Sequence, residues 1–426
     1  MKKTSDTPTS KRKPPALIGK VEPQRETYLA PPPPTKGRII GVDCHPDTFT
    51  AAVFRGTTPH DARKLSCHPD MTLQKFLDWA QRECTKHDLL LLEASGNSFE
   101  IHRRLLGLNL RAVVLESCHI GKHAKTYADN DKMAAARIVL VYLQGQAPCV
   151  WVPDARTSER RELLHLYSKA VEARTAASNS LKGYLNQFTI RPGSRSMTKE
   201  STEAWVLKQR DWSPMQREVL AEYFSHLRAQ TERSKKLLEL MGREICAEPL
   251  MLRCMKLLGI GMVNAFALLA VIGDVRRFER PEKLVAYLGL NPGQRESGRG
   301  KLIKVGVGKR GRGDMRRLLM QGAHAILRNG RNSALGKWGW KLFARKGQRN
   351  IAVVAIARKL VVQVWHLLQA NPIEAVDGDK SLRVKLVKLA SMIGKERRIE
   401  MSLPAGLGAC VDHLCGRISP VAEASG

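Results

Sequence analysis

No uninterrupted run of about 18 apolar residues occurs in this chain of 426 residues, and no signal peptide is evident at its start. A membrane-spanning or secreted protein is therefore not expected. None of the nine cysteines forms a Cys-x-x-Cys pair. Neither a zinc ribbon nor a disulfide framework is indicated, and a reduced cytoplasm fits. Acidic residues are outnumbered, with 40 Asp and Glu against 71 Lys and Arg and a net charge of +31. Such an excess points to a polyanionic partner, of which nucleic acid is the usual one. At 43% apolar residues the chain can bury real cores, and its length suits two to three domains.

Residues 1–36 are rich in Lys, Thr, Ser and Pro and lack apolar periodicity. They are expected to be a disordered basic tail, with order beginning at Gly37. From 37 to 150 strands and helices alternate. Arg38–Asp43 reads as a buried strand, Thr48–Phe54 as its hairpin partner and Leu73–Glu83 as an amphipathic helix. Asp88–Glu93 is a short apolar run that suits a strand buried on both faces. A helix over Ser98–Leu106, a strand over Arg111–Leu115 and a helix over Asp131–Gln144 follow. This alternation implies an α/β layer with a mixed sheet. Residues 151–249 read as a long helical arm, a coiled coil or a plain bundle, broken at Arg191-Pro192-Gly193. Residues 250–370 form a second, mainly α unit. There Leu257-Leu258-Gly259-Ile260-Gly261 separates two helices, and exposed backbone N–H groups at Gly259 and Gly261 could hold a phosphate. Residues 371–426 are basic and then Gly/Ala-rich, with weak structural signals.

Ser297 stands among glycines in the most basic stretch of the chain. Gln294–Arg317 carries nine Lys/Arg against two Asp/Glu. Cations around a serine lower the cost of charge developing on a phosphate and favour the attacking alkoxide. Arg295, Arg299, Lys301, Lys304, Lys309, Arg310, Arg312 and Arg316 are the candidate phosphate contacts. The bland alternative is a solvated basic loop with an idle serine. Asp43 and Glu93 each end a predicted strand. In a ribonuclease-H-like sheet the first strand lies beside the fourth, so such carboxylates converge and can hold divalent metal for phosphodiester chemistry. A third acidic group, Asp129-Asn130-Asp131, opens the 131–144 helix. Asp is also a common N-cap, and Asp131 is expected to serve both purposes. His119 and His123 are four apart, but no third ligand is evident and they read as ordinary surface histidines. Gly306–Gly311 matches GxGxxG but lacks the acidic residue expected about 20 positions later, which excludes a dinucleotide site.

These motifs resemble the DEDD insertion-sequence transposases, the family that includes Piv-type DNA invertases (insertion-sequence family one hundred and ten). Gly41-Val42-Asp43-Cys44-His45 resembles the family's first acidic motif and Glu93-Ala94-Ser95-Gly96 its second. Lys125-Thr126 through Asp131-Lys132-Met133-Ala134-Ala135 resembles the third. Leu258-Gly259-Ile260-Gly261, Ile272-Gly273-Asp274 with Phe278, Tyr287–Pro292, Ser297-Gly298, Lys309-Arg310-Gly311 and Arg316-Arg317-Leu318-Leu319 follow the pattern of its transposase domain. The resemblance covers about residues 38–370. It implies a RuvC/ribonuclease-H-like N-terminal domain of the α/β class, a long helical middle and a mainly α C-terminal transposase domain.

The resemblance also implies a mechanism. Asp43, Glu93 and Asp131 would bind Mg²⁺, and Ser297 would attack DNA to form a covalent phosphoserine intermediate. Partners would be element and target DNA, a structured guide RNA as in some members, and further copies of the chain as a dimer or tetramer. The place would be the bacterial cytoplasm, at the nucleoid, with no membrane involved. One departure stands out. The family carries a fourth acid three residues after Asp131, where this chain has Ala134, and a methyl group cannot ligate Mg²⁺. Either Asp129 or a water replaces that ligand, or the protein is a catalytically weakened nucleic-acid-binding remnant. A RuvC-like junction nuclease that does not use Ser297 is the third reading.

Overall fold

The computed structural model describes residues 28–121, 130–145, 147–295, 303–308, 311–369 and 379–418. The chain divides after Val152 into two compact units. The first is a mixed α/β sheet domain and the second is mostly helical, as the sequence predicts.

In the first unit the strands are β1 (Tyr28–Leu29), β2 (Ile39–Cys44), β3 (Phe49–Arg55), β4 (Arg63–Met71), β5 (Leu89–Glu93), β6 (Arg111–Leu115) and β7 (Pro148–Cys149). They form one seven-stranded sheet in the order β1-β7-β6-β5-β2-β3-β4. The central strands β2, β5 and β6 are parallel, while β3 and β4 add antiparallel on one side. The helices are α1 (Leu73–Glu83), α2 (Ser98–Gly107), α3 (Ser117–Gly121) and α4 (Asp131–Leu143). The four leucines of β5 are all buried, because the sheet is covered on both faces. Ile40, Val42, Leu90 and Leu92 pack in one core with Phe76, Ala80, Ile101 and Leu105 of α1 and α2. Ile39, Leu89 and Leu91 pack in the other with Ala135, Ile138, Val139 and Tyr142 of α4.

Two features fix how these layers meet. Asp88, 2% exposed, precedes β5 and grips the residue that precedes β2. Its carboxylate accepts from the Arg38 backbone N–H at 2.7 Å, from Arg38 Nη2 at 2.8 Å and from the Thr85 N–H at 2.8 Å. The parallel pair β2–β5 thus starts in register, with Ile39 opposite Leu89 and Val42 opposite Leu92. The second feature is Gly41. A Cβ placed there would lie 2.0 Å from the Ala135 carbonyl oxygen and 2.9 Å from Val139 Cγ2. Helix α4 rests directly on the backbone of β2, and only glycine leaves room for it.

Two expectations are corrected here, and strand β4 is an addition to them. Residues 28–36 are part of the fold and not of a disordered tail, since β1 pairs with β7 and the Tyr142 hydroxyl donates to the Pro31 carbonyl at 2.5 Å. The N-cap of α4 is Asn130, whose side chain accepts from the Met133 N–H at 3.0 Å. Asp131 is therefore the first helical residue, and its carboxylate is not occupied by capping. Strand β4 follows a loop in which Asp61 accepts from the Thr57 and Thr58 N–H groups. Its half-exposed edge position blurs the alternation that would have revealed it.

The second unit opens with two long helices, α5 (Ala155–Asn186) and α7 (Pro214–Ala247), separated by the short α6 (Glu200–Leu207). Ala177, Leu181 and Leu185 of α5 share a core with Leu220, Phe224 and Leu227 of α7, whereas Leu164 meets Met241 and Ile245. The pair is an antiparallel hairpin. Buried positions 220, 227, 234 and 241 recur every seven residues, the spacing of a coiled-coil seam. Then come α8 (Pro249–Cys254), α9 (Met262–Ile272), α10 (Pro281–Tyr287), β8 (Pro292–Arg295), β9 (Ile303–Val307), α11 (Gly313–Asn329), α12 (Ala334–Lys346) and α13 (Arg349–Leu368). Helix α9 is buried from Ala265 through Ile272 and forms the centre of the core. Helix α13 is long and apolar enough by composition to cross a membrane, but it carries Arg358 and Lys359 and gives Val353, Ile356, Leu360 and Val364 to the core. Beyond residue 378, where signals are weak, stand α14 (Asp379–Ile393), α15 (Lys395–Glu400) and α16 (Leu407–Gly416). Leu386 and Leu389 of α14 and Cys410 and Leu414 of α16 join the same core, so this segment belongs to the second unit.

Two substitutions test the packing. Gly41→Ala should cost about 2 kcal/mol in urea unfolding, because the clash is with backbone, and should raise amide exchange in α4; unchanged exchange there would contradict the close approach. Asp88→Asn should cost about 2 kcal/mol at neutral pH, by leaving the Arg38 guanidinium against a neutral amide. Burial raises the Asp88 carboxyl, but the hydrogen bonds from Arg38 and the Thr85 N–H outweigh this and hold it below its ordinary value of 3.8. Its contribution is thus complete above about pH 4 and is lost as the pH falls through the depressed value. Urea midpoints of wild type and Asp88→Asn should differ at pH 7 and converge toward pH 2.

Candidate functional site

The alternation of β2 puts Ile39, Gly41 and Asp43 on the face covered by α4, and that of β5 puts Leu89, Leu91 and Glu93 there too. Continuing the register by one step makes Asp43 and Glu93 neighbours at the carboxyl ends of adjacent parallel strands. Asp131 reaches the same place from α4. It lies one turn before Ala135, the residue that touches Gly41, just as Asp43 lies two residues beyond Gly41 on the same face. One close contact therefore sets both carboxylates side by side.

His45 completes the group. Its Nε2 lies 3.4 Å from Asp43 Oδ2 and 3.5 Å from Asp131 Oδ1. Ligand atoms of Asp43, His45 and Asp131 all lie within 4.8 Å of one another. Among the described residues this is the one group of three or more acids, histidines or cysteines so placed. Asp43 is the most sheltered, at 14% side-chain exposure against 44% for Asp131 and 52% for His45. The His45 backbone is held on both sides. Its N–H donates to the Thr48 carbonyl at 3.0 Å, and its carbonyl accepts from Asn97 Nδ2 at 2.9 Å. Glu93 is half-buried and outside that tight set, yet its charge reaches the same neighbourhood. Burial pushes the Cys44 thiol up to about 12, and the charges of Asp43 and then Glu93 add to the rise. Cys44 points to the opposite core and stays a neutral thiol.

The donor set suits a divalent cation. Carboxylate oxygens favour Mg²⁺ or Mn²⁺, and the imidazole shifts the balance toward Mn²⁺. A further buried polar atom belongs to a residue on the same face of the sheet. Thr50, opposite Asp43 in β3, is 1% exposed and its Oγ1 has no hydrogen-bond partner. Leaving such a hydroxyl unpaired costs about 1–3 kcal/mol. Ala134 stands three residues into α4 from Asp131 and offers no ligand atom.

The remaining predicted site residues fall in several places. Asp129, Ser297, Arg299, Lys301, Lys309, Arg310 and His123 lie outside the described residues. Arg295 and Lys304 sit on the β8–β9 hairpin, where Arg295 pairs with Ile303 and Gln294 with Lys304. That hairpin holds the two ends of the segment containing Ser297. Its base is tight, since a Cβ at Gly311 would lie 2.7 Å from Gly289 Cα. Arg316 Nη1 donates to the Gly289 carbonyl at 2.9 Å. Arg312 is bound to Asp314 through Nε at 3.0 Å and Nη2 at 2.6 Å, so part of its donor capacity is spent within the fold. Gly259 has φ +81°, and a Cβ there would meet the Gly322 carbonyl at 2.7 Å. Packing of α11 thus explains this glycine independently of any phosphate. Gly261 is the N-cap of α9, with open space where a Cβ would stand. His119 lies in α3, half-buried and outside the cation group.

His45 is the residue that reading the sequence for acids missed as a ligand. The signal was present as Asp43-x-His45, two residues apart where a strand runs into a tight hairpin.

Comparison with known proteins bears on part of the second unit and on about two thirds of the chain. Residues 252–335, from α8 to the first residues of α12, match the family described as "Transposase IS116/IS110/IS902 family". Over 66% of its length the chain is 27% identical to the "Transposase for insertion sequence element IS1111A" of Coxiella burnetii, covering 77% of that protein. Over 66% of its length it is 26% identical to the "Probable family 20 transposase" of Pseudomonas aeruginosa, covering 83% of it. By its matched segment and by these relatives, the chain is similar to the IS116/IS110/IS902 family of insertion-sequence transposases.

Proposed function

We propose that this protein is a metal-dependent transposase or site-specific recombinase of an insertion sequence, and that Ser297 is its nucleophile. The observation that carries the reading is the acid-bearing face of the first unit. It belongs to a chain whose second unit matches a transposase family. The strand order β4-β3-β2-β5-β6, with the strand of Asp43 beside that of Glu93, supports a ribonuclease-H-like, and hence RuvC-like, assignment. Asp43, Asp131 and His45 would hold a divalent ion, with Glu93 beside them. His45 supplies a ligand where Ala134 offers none.

An ion so held supplies Lewis-acid stabilisation of charge building on a phosphate. The chain's own groups do the rest. Asp43 and Asp131 fix the position of the ion. Arg295, Arg299, Lys301 and Lys304 hold the DNA backbone and shield its charge. The Ser297 hydroxyl gives its proton to water as Oγ attacks phosphorus: the Oγ–P bond forms, the P–O bond to the departing deoxyribose breaks, and that oxygen takes up a proton from water. The energy of the broken phosphodiester is kept in the phosphoserine, so a new strand end can displace the serine without an external energy source. Two duplexes must be cut, which calls for several copies of the chain. A structured RNA is the further partner that the basic surface suits. Ala134 favours one competing reading, a binding protein that no longer cuts.

The test uses full-length protein with Mn²⁺ or Mg²⁺, labelled element-junction DNA and any copurifying RNA. A denaturing gel should show label at protein mass. Ser297→Ala should abolish that band while shifting DNA in a native gel within about twofold of wild type. A band that persists in Ser297→Ala would overturn the assignment of the nucleophile. Tight binding with no covalent band in wild type would favour the binding protein.

A further inference from the structure

We infer that Thr50 is a positioning residue for Asp43, its hydroxyl held for the metal-loaded state of the site. The inference rests on the reading of Asp43, Asp131 and His45 as holders of a divalent ion. Thr50 and Asp43 are directly opposed across the β2–β3 pair. The alternation of β3 puts Thr50 with Ala52 and Phe54 on the face that α4 covers, the face that also carries Asp43. Thr50 is 1% exposed and Oγ1 makes no hydrogen bond. Valine has nearly the same shape and would fill this place without a polar atom to satisfy, so the hydroxyl works against folding where it stands.

The acceptor that removes this penalty is the neighbouring carboxylate. A hydroxyl has one hydrogen to give, and directly opposed side chains in an antiparallel pair stand about 4.5–5.5 Å apart at Cβ. Carboxylates that ligate a cation are commonly held by a second hydrogen bond, which fixes the oxygen that faces the ion. Thr50 supplies that bond to Asp43. It is not itself a ligand; it orients one. No bond is made or broken in this step, and the proton stays on Oγ1.

The experiment uses full-length protein and Mn²⁺ alone, with free Mn²⁺ measured by electron paramagnetic resonance and melting followed without metal. Thr50→Val should weaken Mn²⁺ binding about tenfold, while its metal-free melting temperature equals or exceeds that of wild type. Thr50→Ser, which keeps the hydroxyl, should bind within about twofold of wild type. Equal affinity of wild type and Thr50→Val would overturn the inference. So would equal weakening in Thr50→Val and Thr50→Ser, which would mean packing and not the hydroxyl. A Thr50→Val protein that melts lower without metal would also overturn it, because the hydroxyl would then already have a partner. Asp43→Asn separates this from the reading beneath it. If Asp43→Asn binds Mn²⁺ like wild type, the ion sits elsewhere and the metal-site reading itself fails.

Discussion

At Gly41 the backbone of β2 comes up against helix α4 with no side chain of its own between them, and the geometry of the acid-bearing face follows from that contact. Gly41 removes the Cβ that would strike the Ala135 carbonyl. One residue pair further along each element stand Asp43 and Asp131. A larger residue at 41 would lift the helix, and Asp131 would leave Asp43 and His45. A strand glycine gives up side-chain packing and conformational entropy, so its use here has a cost. The return is a helix start whose carboxylate lies within 4.8 Å of that of the strand end. The grip of Asp88 on Arg38 does the complementary work at the other end of the sheet. A slip of one residue between β2 and β5 would turn Glu93 to the opposite face.

Charge gives the same face a second distinction. The chain carries a net +31, and most of its surface should attract polyanions wherever they come from. Asp43, Glu93 and Asp131 form a local exception. Two carboxylates beside one another repel, and His45 brings a single nitrogen, Nε2, close to both Asp43 and Asp131. An imidazole is a modest answer to that repulsion, and a divalent cation is a stronger one. On the proposed reading, the basic surface gathers nucleic acid without regard to sequence, and the acidic face carries the metal chemistry.

Much of this was legible in the amino-acid order. The apolar run at Leu89–Leu92 and the motif around Gly41-Val42-Asp43 announced two buried strands ending in acids. Alternation then fixed which way those acids face. The long helical stretch was equally plain, although its seven-residue seam closes within the chain as an antiparallel hairpin. Other features depended on tertiary partners. Tyr28–Leu29 is too short to announce itself and is a strand only because β7 offers an edge. Asn130 and Asp131 are both good caps on paper; the backbone chose Asn130, and that choice freed the aspartate. Helices α14 and α16 carry weak local signals and are stabilised by the core they join. His45 escaped notice because a lone exposed histidine is uninformative until Asp131, 86 positions later in the chain, is folded against it.

The central claim is that Asp43, His45 and Asp131 hold a divalent ion on the face shared with Glu93. The most direct measurement is an anomalous difference map from crystals of the full-length protein soaked in Mn²⁺. The account predicts a peak at bonding distance from Asp43 and Asp131. Side chains in their present places with no peak there, or a peak only at other carboxylates, would contradict it.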